Sequence, residues 1–391
     1  MPQAAHDIQC DPVGSSLEEW EALFASWGER PFRAKQVFRW IHTRSVADPV
    51  GMTDIAKTLR EKLAAMSLHM PVVLEKVHRA ADDTRKILVG FPDTATSGTV
   101  ETVLIPPMPD DDAEDDADDE PSAATPRVAA RRVTQCISTQ VGCAMGCVFC
   151  ASGVAGLKRH LTAGEIVGQV LLGRTQLDDG EAIRNVVLMG MGEPLHNYDA
   201  VARALRLLTH RDGLDLSTRR VTVSTSGLVP EIDRLGQDFR GEVALAISLH
   251  APTDELRSSL MPINRRYPLA DLMPALRRYP LARRRRITVE YTLIRGVNDQ
   301  SAHARALSKL LRGLSVKVNL IPLNPVDGVP YAAPVRDDVL AFQTLLRNDG
   351  YSVFIRKTRG DDIDAACGQL ALQGAKPVKR TLPVFGGARD A

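Results

Sequence analysis

The sequence predicts an α/β protein: a partial (β/α)6 barrel with a small helical accessory domain on its amino-terminal side. Three observations predict it. From Arg132 onward, strand and helix patterns alternate about six times, which requires a parallel sheet with helices outside it. From about Ser16 to Ser67 the apolar residues recur at helical spacing. A loop with three cysteines follows the first barrel strand, at the carboxyl end of the sheet, where such folds place their chemistry.

The 391 residues suit one large core and a smaller domain, at about 100–200 residues per domain. With 44% hydrophobic and 25% charged residues, the composition is that of a soluble globular protein. No stretch approaches the roughly 18 apolar residues that span a bilayer. Met1 to Cys10 lacks the basic and apolar regions of a secretory signal, so a cytoplasmic protein with no membrane contact is expected. Six cysteines, half of them in one loop, fit a reducing compartment rather than a disulfide framework. The net charge of +1 hides an asymmetry: residues 110–120 hold nine acids and no base, leaving 49 basic against 39 acidic residues elsewhere, or +10. That excess suits an anionic partner such as RNA.

In chain order, residues 1–15 are expected as a flexible leader and 16–68 as the helical accessory domain. In that domain Leu17, Trp20, Leu23 and Phe24, then Val37, Phe38 and Ile41, face inward. Arg33, Lys35 and Arg39 stand beside this apolar face, either as a nucleic-acid contact or as a solvated surface. Residues 69–108 carry strands, at 71–77, 85–91 and 99–105, that link to the barrel. The acidic insertion over 109–130, flanked by prolines, repels itself and is expected to be disordered. The barrel covers 131–375 and a flexible tail 376–391. Barrel strands are expected at 133–138, 184–190, 220–225, 242–249, 286–294, 316–321 and 351–356. Helices are expected at 162–177, 199–209, 229–237, 269–279, 301–313 and 336–348. Val201, Ala204, Leu205 and Leu208 give the second of these an inward stripe.

The cysteine loop reads Cys143-Ala-Met-Gly-Cys147-Val-Phe-Cys150. Three thiolates are one short of a closed zinc site and one short of a fully ligated iron–sulfur cluster. In the second case one iron stays open for a substrate or cofactor. In the first, a zinc knuckle, Cys136 or His160 would complete the set. Several strand ends then carry polar residues: Gly192 and Glu193 in Met189-Gly-Met-Gly-Glu-Pro194, Ser224 in Ser-Thr-Ser-Gly227, Ser248-Leu249-His250, and Asn324. Each alone is a common turn residue. Their recurrence at successive strand ends points to one shared pocket. Cys367 lies in a glycine-flanked loop after the last strand, within reach of the barrel mouth, and Cys136 ends the strand that leads into the cysteine loop.

The cysteine loop, with an aromatic residue before its last cysteine, resembles the radical S-adenosylmethionine (SAM) enzymes. The wider chain resembles their RlmN family of rRNA and tRNA adenine-C2 methyltransferases. The segments that carry the resemblance are FRAKQVFRWI, VETVLIP, TQCISTQVGCAMGCVFC, MGMGEPLHN, RRVTVSTSG, ALAISLHAPTDELR, NLIPLNP and RGDDIDAACGQL, spread from about Leu23 to Gln369. The resemblance implies a radical SAM barrel with a [4Fe–4S] cluster on Cys143, Cys147 and Cys150. It implies SAM held by Gly192, Glu193, Ser224, Ser248, Leu249, His250 and Asn324. Cys367 corresponds to a cysteine that becomes S-methylated, Cys136 to its resolving thiol, and Glu101 to a proton acceptor. The implied partners are 23S rRNA and tRNA and a flavodoxin-like electron donor, with a monomeric enzyme. Carbon 2 of adenine is too electron-poor to attack a sulfonium directly, which explains why a thiol carrier is needed. Basic runs at Arg131-Arg132, Arg219-Arg220, Arg265-Arg266 and Arg283 to Arg286 are candidate phosphate contacts. The insertion between Ile105 and Arg131 departs from the family pattern and lengthens the path from Glu101 to Cys136. Rival readings are the antibiotic-resistance type, which methylates adenine C8 with the same two cysteines, a radical SAM enzyme on a small molecule, and a non-catalytic RNA-binding protein with a structural metal.

Overall fold

A computed structural model describes residues 8, 11–92, 98–107, 130–326 and 328–370. The acidic run 110–120 and the tail expected at 376–391 lie outside the described residues.

The accessory domain is three helices, α1 (Leu17–Ser26), α2 (Pro31–Arg44) and α3 (Lys57–Ala64). Ser16 starts α1 with a capping box: its hydroxyl accepts from the Glu19 N–H, and its own N–H donates to the Glu19 carboxylate. Proline opens α2, where its missing N–H costs nothing, and Ser45 ends it in the left-handed region at φ 59°. Trp20, Leu23, Phe24, Val37, Phe38 and Ile41 are buried as their spacing requires. The basic residues beside this face have local partners. Lys35 and Arg39 both pair with Asp212 of the barrel, at 2.8 and 3.1 Å, and so form a seam between the domains.

One expectation fails at the amino-terminal end. Residues 11–15 are packed rather than loose. The Asp11 carboxylate accepts from the N–H groups of Gly14 and Gly164, at 2.9 and 3.0 Å, and Val13 is fully buried. Gly164 lies in the first turn of a barrel helix, where N–H groups are free to take an anionic partner.

The sheet is continuous over ten strands, ordered β1-β2-β3-β4-β7-β8-β9-β10-β11-β12. The linking strands β1 (Val73–Arg79), β2 (Arg85–Gly90) and β3 (Val100–Ile105) run antiparallel and join the barrel directly, with Val103 opposite Cys136 of β4 (Arg131–Cys136). The rest are parallel: β7 (Glu181–Leu188), β8 (Val221–Thr225), β9 (Ala244–Ser248), β10 (Ile287–Leu293), β11 (Val316–Pro322) and β12 (Ser352–Ile355). Because β4 pairs with β3 rather than β12, the barrel stays open. A small hairpin, β5 (Gln140–Val141) and β6 (Arg159–His160), brackets the cysteine loop and its helix α4 (Ala151–Ala155).

Crossover helices cover the outer face: α5 (Ala163–Arg174), α6 (Tyr198–Leu208), α7 (Val229–Phe239), α8 (Asp254–Leu260) with α9 (Leu269–Arg278), α10 (Ser301–Leu311) and α11 (Arg336–Asn348). Their apolar stripes, such as Val201, Ala204, Leu205 and Leu208 of α6, are buried against the sheet. Every parallel strand therefore ends at the same edge, above the cysteine loop. Among the described residues no helix is long and apolar enough to cross a membrane.

Candidate active site

The cysteine loop begins with a turn that only glycine can make. Gly142 has φ +75°, and a Cβ there would stand 1.9 Å from the Gly156 carbonyl oxygen. The loop closes on itself by the Cys143 N–H to Gly156 carbonyl bond, and its three thiols line one cavity of about 160 Å³ at the strand ends. Burial pushes the Cys143 thiol up to about 12 and raises those of Cys147 and Cys150 as well. Thiols so disfavoured as anions become ligands only around a strongly positive centre, which removes their protons on binding. Neither candidate fourth zinc ligand joins them. His160 is hydrogen-bonded to Gln140, and Cys136 lines a different cleft.

Gly192, Glu193, Ser224, Ser248, His250 and Asn324 all line the cysteine cavity. Gly192, at φ +105°, lies so close to Gln140 that a Cβ would stand 2.6 Å from the Gln140 Cβ. Glu193 is buried, and both its oxygens accept backbone N–H bonds, from Leu195 at 3.1 Å and Ser226 at 2.8 Å. Burial raises its carboxyl, and those bonds pull it back. His250 adopts φ +57°, unusual for a residue with a Cβ, and its Nδ1 accepts the Thr292 N–H at 2.9 Å. Burial lowers it to about 3, so it is neutral with its proton on Nε2. Leu249 is different: its side chain is fully buried in the main core and does not line the cavity, because alternate residues of an extended segment face opposite sides. Asn324 reaches the cavity, but its amide also holds the neighbouring loop, donating to the Cys367 carbonyl at 2.9 Å and accepting from Thr358 at 3.1 Å.

Cys367 lines this cavity and also a second, narrower cleft of about 30 Å³ that contains Cys136. Its loop is pinned to α4: Ala151 N–H donates to the Gly368 carbonyl, and the Ser152 hydroxyl to that of Leu370, at 2.9 and 2.6 Å. Both thiols are free, and burial, with Cys367 next to it, pushes Cys136 up to about 12. Glu101 lines neither space. It pairs with Lys86 at 3.2 Å, and Lys86 in turn donates to the Asp364 carbonyl, in the loop that carries Cys367.

Three residues of the site have no clear sequence signal. Arg257 is fully buried without a carboxylate partner. It donates to the carbonyls of Ser226, Ser248 and Leu249 and to the Asn264 side chain, and so ties together the ends of β8 and β9. Arg356 lines both the cavity and the cleft. Glu290 lies on β10, in the wall of the cavity. An isolated charge inside an apolar strand or a short helix shows no periodicity that would mark it. Three of the four arginine runs, by contrast, have partners within the protein: Arg131 pairs with Glu181, Arg220 donates to Asn185, and Arg286 to Ser352.

Residues 13–68 match the family described as the ribosomal RNA large subunit methyltransferase N-terminal domain, and residues 137–307 match the radical SAM superfamily. A relative from Sorangium cellulosum (strain So ce56), named as the dual-specificity RNA methyltransferase RlmN, is 61% identical over 387 residues, or 95% of this chain and 98% of the relative. The chain belongs to the RlmN family. A radical SAM methyltransferase from Sphaerobacter thermophilus has the same fold, with a TM-score of 0.81 and 44% identity over 92% of this chain and 98% of that one. As an RlmN-family member it is a radical SAM RNA methyltransferase that uses a [4Fe–4S] cluster and SAM. The site fits them. One loop gives it three thiols, Cys367 joins its wall from a separate segment, and two buried oxygens there, Ser226 Oγ and Glu290 Oε2, have no hydrogen-bond partner among the described residues.

Proposed function

We propose that this protein methylates C2 of an adenosine in 23S rRNA and in tRNA, with the methyl group carried on Cys367 and released with the help of Cys136. The observation that carries the reading is the position of Cys367. It lines both the cavity of Cys143, Cys147 and Cys150 and the cleft of Cys136.

When bound, the cluster and SAM supply an electron, a methyl group and a hydrogen-abstracting fragment. Cys143, Cys147 and Cys150 would hold the cluster, one thiolate short of full ligation. Gly192 lets the backbone close on the ligand, and Glu193 orients its ammonium group. Ser224, Ser248, His250 and Asn324 line the remainder of the SAM site. Cys367, as a thiolate, takes the methyl group: its sulfur bonds to the methyl carbon as the sulfonium bond breaks. Once that carbon is joined to the base, Glu101 accepts the C2 proton, linked to the Cys367 loop through Lys86. Cys136 then attacks the Cys367 sulfur. A Cys136–Cys367 disulfide forms as the bond from the Cys367 sulfur to carbon breaks. The electron pair leaves on that carbon, which takes up a proton to become the methyl group of the freed base, and a thiol reductant restores both cysteines. The target adenine must leave its stack to reach a barrel mouth. The reading includes a flavodoxin-like electron donor and a monomeric enzyme.

The test is anaerobic loading with iron and sulfide, incubation with SAM, reductant and protein-free large-subunit rRNA or tRNA, and mass spectrometry of the digested nucleosides. We expect 2-methyladenosine from wild type and none from Cys367→Ala. An 8-methyladenosine product would move the chain to resistance-type chemistry. SAM cleavage with no methylated base would refute the RNA assignment.

A further inference from the structure

Glu290, in the middle of β10, has no role in the reading above. In the sheet register it stands level with Ser248 on β9 and with Asn319 on β11. In-register neighbours on parallel strands share a face, so Glu290 projects with Ser248 into the cavity that both line. It is 4% exposed. One oxygen, Oε1, accepts from the Asn319 amide at 3.1 Å, whereas Oε2 has no hydrogen-bond partner. Burial raises its carboxyl above the ordinary carboxylate value, and Arg356 and Lys317 pull it back, yet neither cation bonds Oε2. A buried carboxylate oxygen left unpaired is costly and rare. In the wall of a ligand-sized cavity, it marks where a donor from outside the chain arrives.

The donor follows from the chemistry of the occupant, and here the inference rests on the proposed placement of SAM. SAM carries three kinds of donor: an ammonium group, two ribose hydroxyls and the adenine amine. The ammonium is assigned to the cluster side, beside Gly192 and Glu193 at the end of β7. Donors of the adenosyl half remain for the wall formed by β9, β10 and β11. We propose that Glu290 Oε2 accepts a hydrogen bond from the adenosyl half of SAM, either a ribose hydroxyl or the adenine amine, and thereby helps to fix SAM in the cavity.

The experiment measures SAM binding by equilibrium dialysis to cluster-loaded wild type and to Glu290→Gln, with iron content as the control. Glutamine keeps an acceptor for Asn319 and replaces the free oxygen with a donor. The expected result is iron loading unchanged and SAM bound about tenfold or more weakly, the scale of a lost charge-assisted bond. SAM analogues lacking the 2′-hydroxyl, the 3′-hydroxyl or the adenine amine then identify the donor. The analogue missing the bonded group should bind wild type about as weakly as SAM binds Glu290→Gln, and should lose nothing further on the variant. Equal SAM binding by both proteins would overturn the proposal, as would losses that simply add for every analogue. If Glu290→Gln fails to load iron, the analogue series on wild type decides: no weakened analogue means no such bond. Wild type that loads iron but binds no SAM would instead refute the assignment of the cavity itself, and the proposal with it.

Discussion

Cys143, Cys147 and Cys150 come from one loop of eight residues, whereas Cys136 and Cys367 come from the first barrel strand and from the segment after the last. The loop trio is local. Gly142 and a short hairpin fold it, and its three thiols face one cavity because the chain between them is too short to place them elsewhere. The pair is not local. Cys136 is set by β3 and β4, and Cys367 by hydrogen bonds from Ala151, Ser152 and Asn324. The proposed cofactor site is thus written into a few residues, while the proposed reaction through two sulfurs in sequence draws on the whole barrel. The two sets meet where the Cys367 loop rests on α4, directly after Cys150, and in the cavity that Cys367 lines together with the loop trio.

The largest effect should come from separating the two sets. Cys147→Ala should abolish iron and sulfide incorporation and, with it, all SAM cleavage. Cys136→Ala should load a full cluster and cleave SAM, yet accumulate enzyme linked to RNA through Cys367. Iron analysis and denaturing gels of the reaction read both outcomes. Loss of the cluster in Cys136→Ala would show that the two sets are not independent.

A smaller effect is expected at the junction of β8 and β9. Arg257→Met leaves the carbonyls of Ser226 and Ser248 without their donor, inside the protein, and takes one of two donors from the Leu249 carbonyl. Urea unfolding should show a loss of about 3 kcal/mol, the cost of several buried hydrogen bonds to a charged group. Arg257→Lys should recover only part, since one ammonium cannot span three carbonyls. SAM binding should weaken with stability while the Cys136–Cys367 cleft keeps its thiols reactive. Equal damage to both would mean that the cavity and the cleft are one cooperative unit.

The effect that is smallest at neutral pH lies remote from both sulfur sets and serves as their control. His42 of the accessory domain is fully buried, with both ring nitrogens unpartnered. Burial lowers it from the ordinary 6.5 to about 3. As pH falls below 6.5 the unfolded chain takes up a proton that the folded chain refuses. His42 therefore costs stability progressively from about pH 6.5 down toward 3, by up to about 1.4 kcal/mol per pH unit. His42→Leu should flatten the acid side of the urea-unfolding profile and leave cluster content and Cys367 methylation unchanged.

What was legible in the sequence follows from how far each signal reaches. Strand and helix periodicity lies within ten or so residues, and each expected barrel strand and helix lies within three residues of an observed one, whereas the short α8 was not expected. The cysteine loop and the polar strand ends were legible for the same reason, and a parallel sheet gathers such ends at one edge whatever its length. The run Ser248-Leu249-His250 does not say which residue turns outward, and the structure turns the Leu249 side chain into the core. Residues 11–15 read as loose in the sequence because a short polar segment gives no sign that Asp11 will find the amino end of α5.

The sequence by itself determined the fold class and the family, because those depend on local spacing and on residue identity. Only the tertiary structure decided that Cys367 borders two spaces, that Arg257 ties two strand ends together and that Glu290 keeps one oxygen free. A buried charge declares its purpose only through the partners it has and the one it lacks, and those come from strands far apart in the chain.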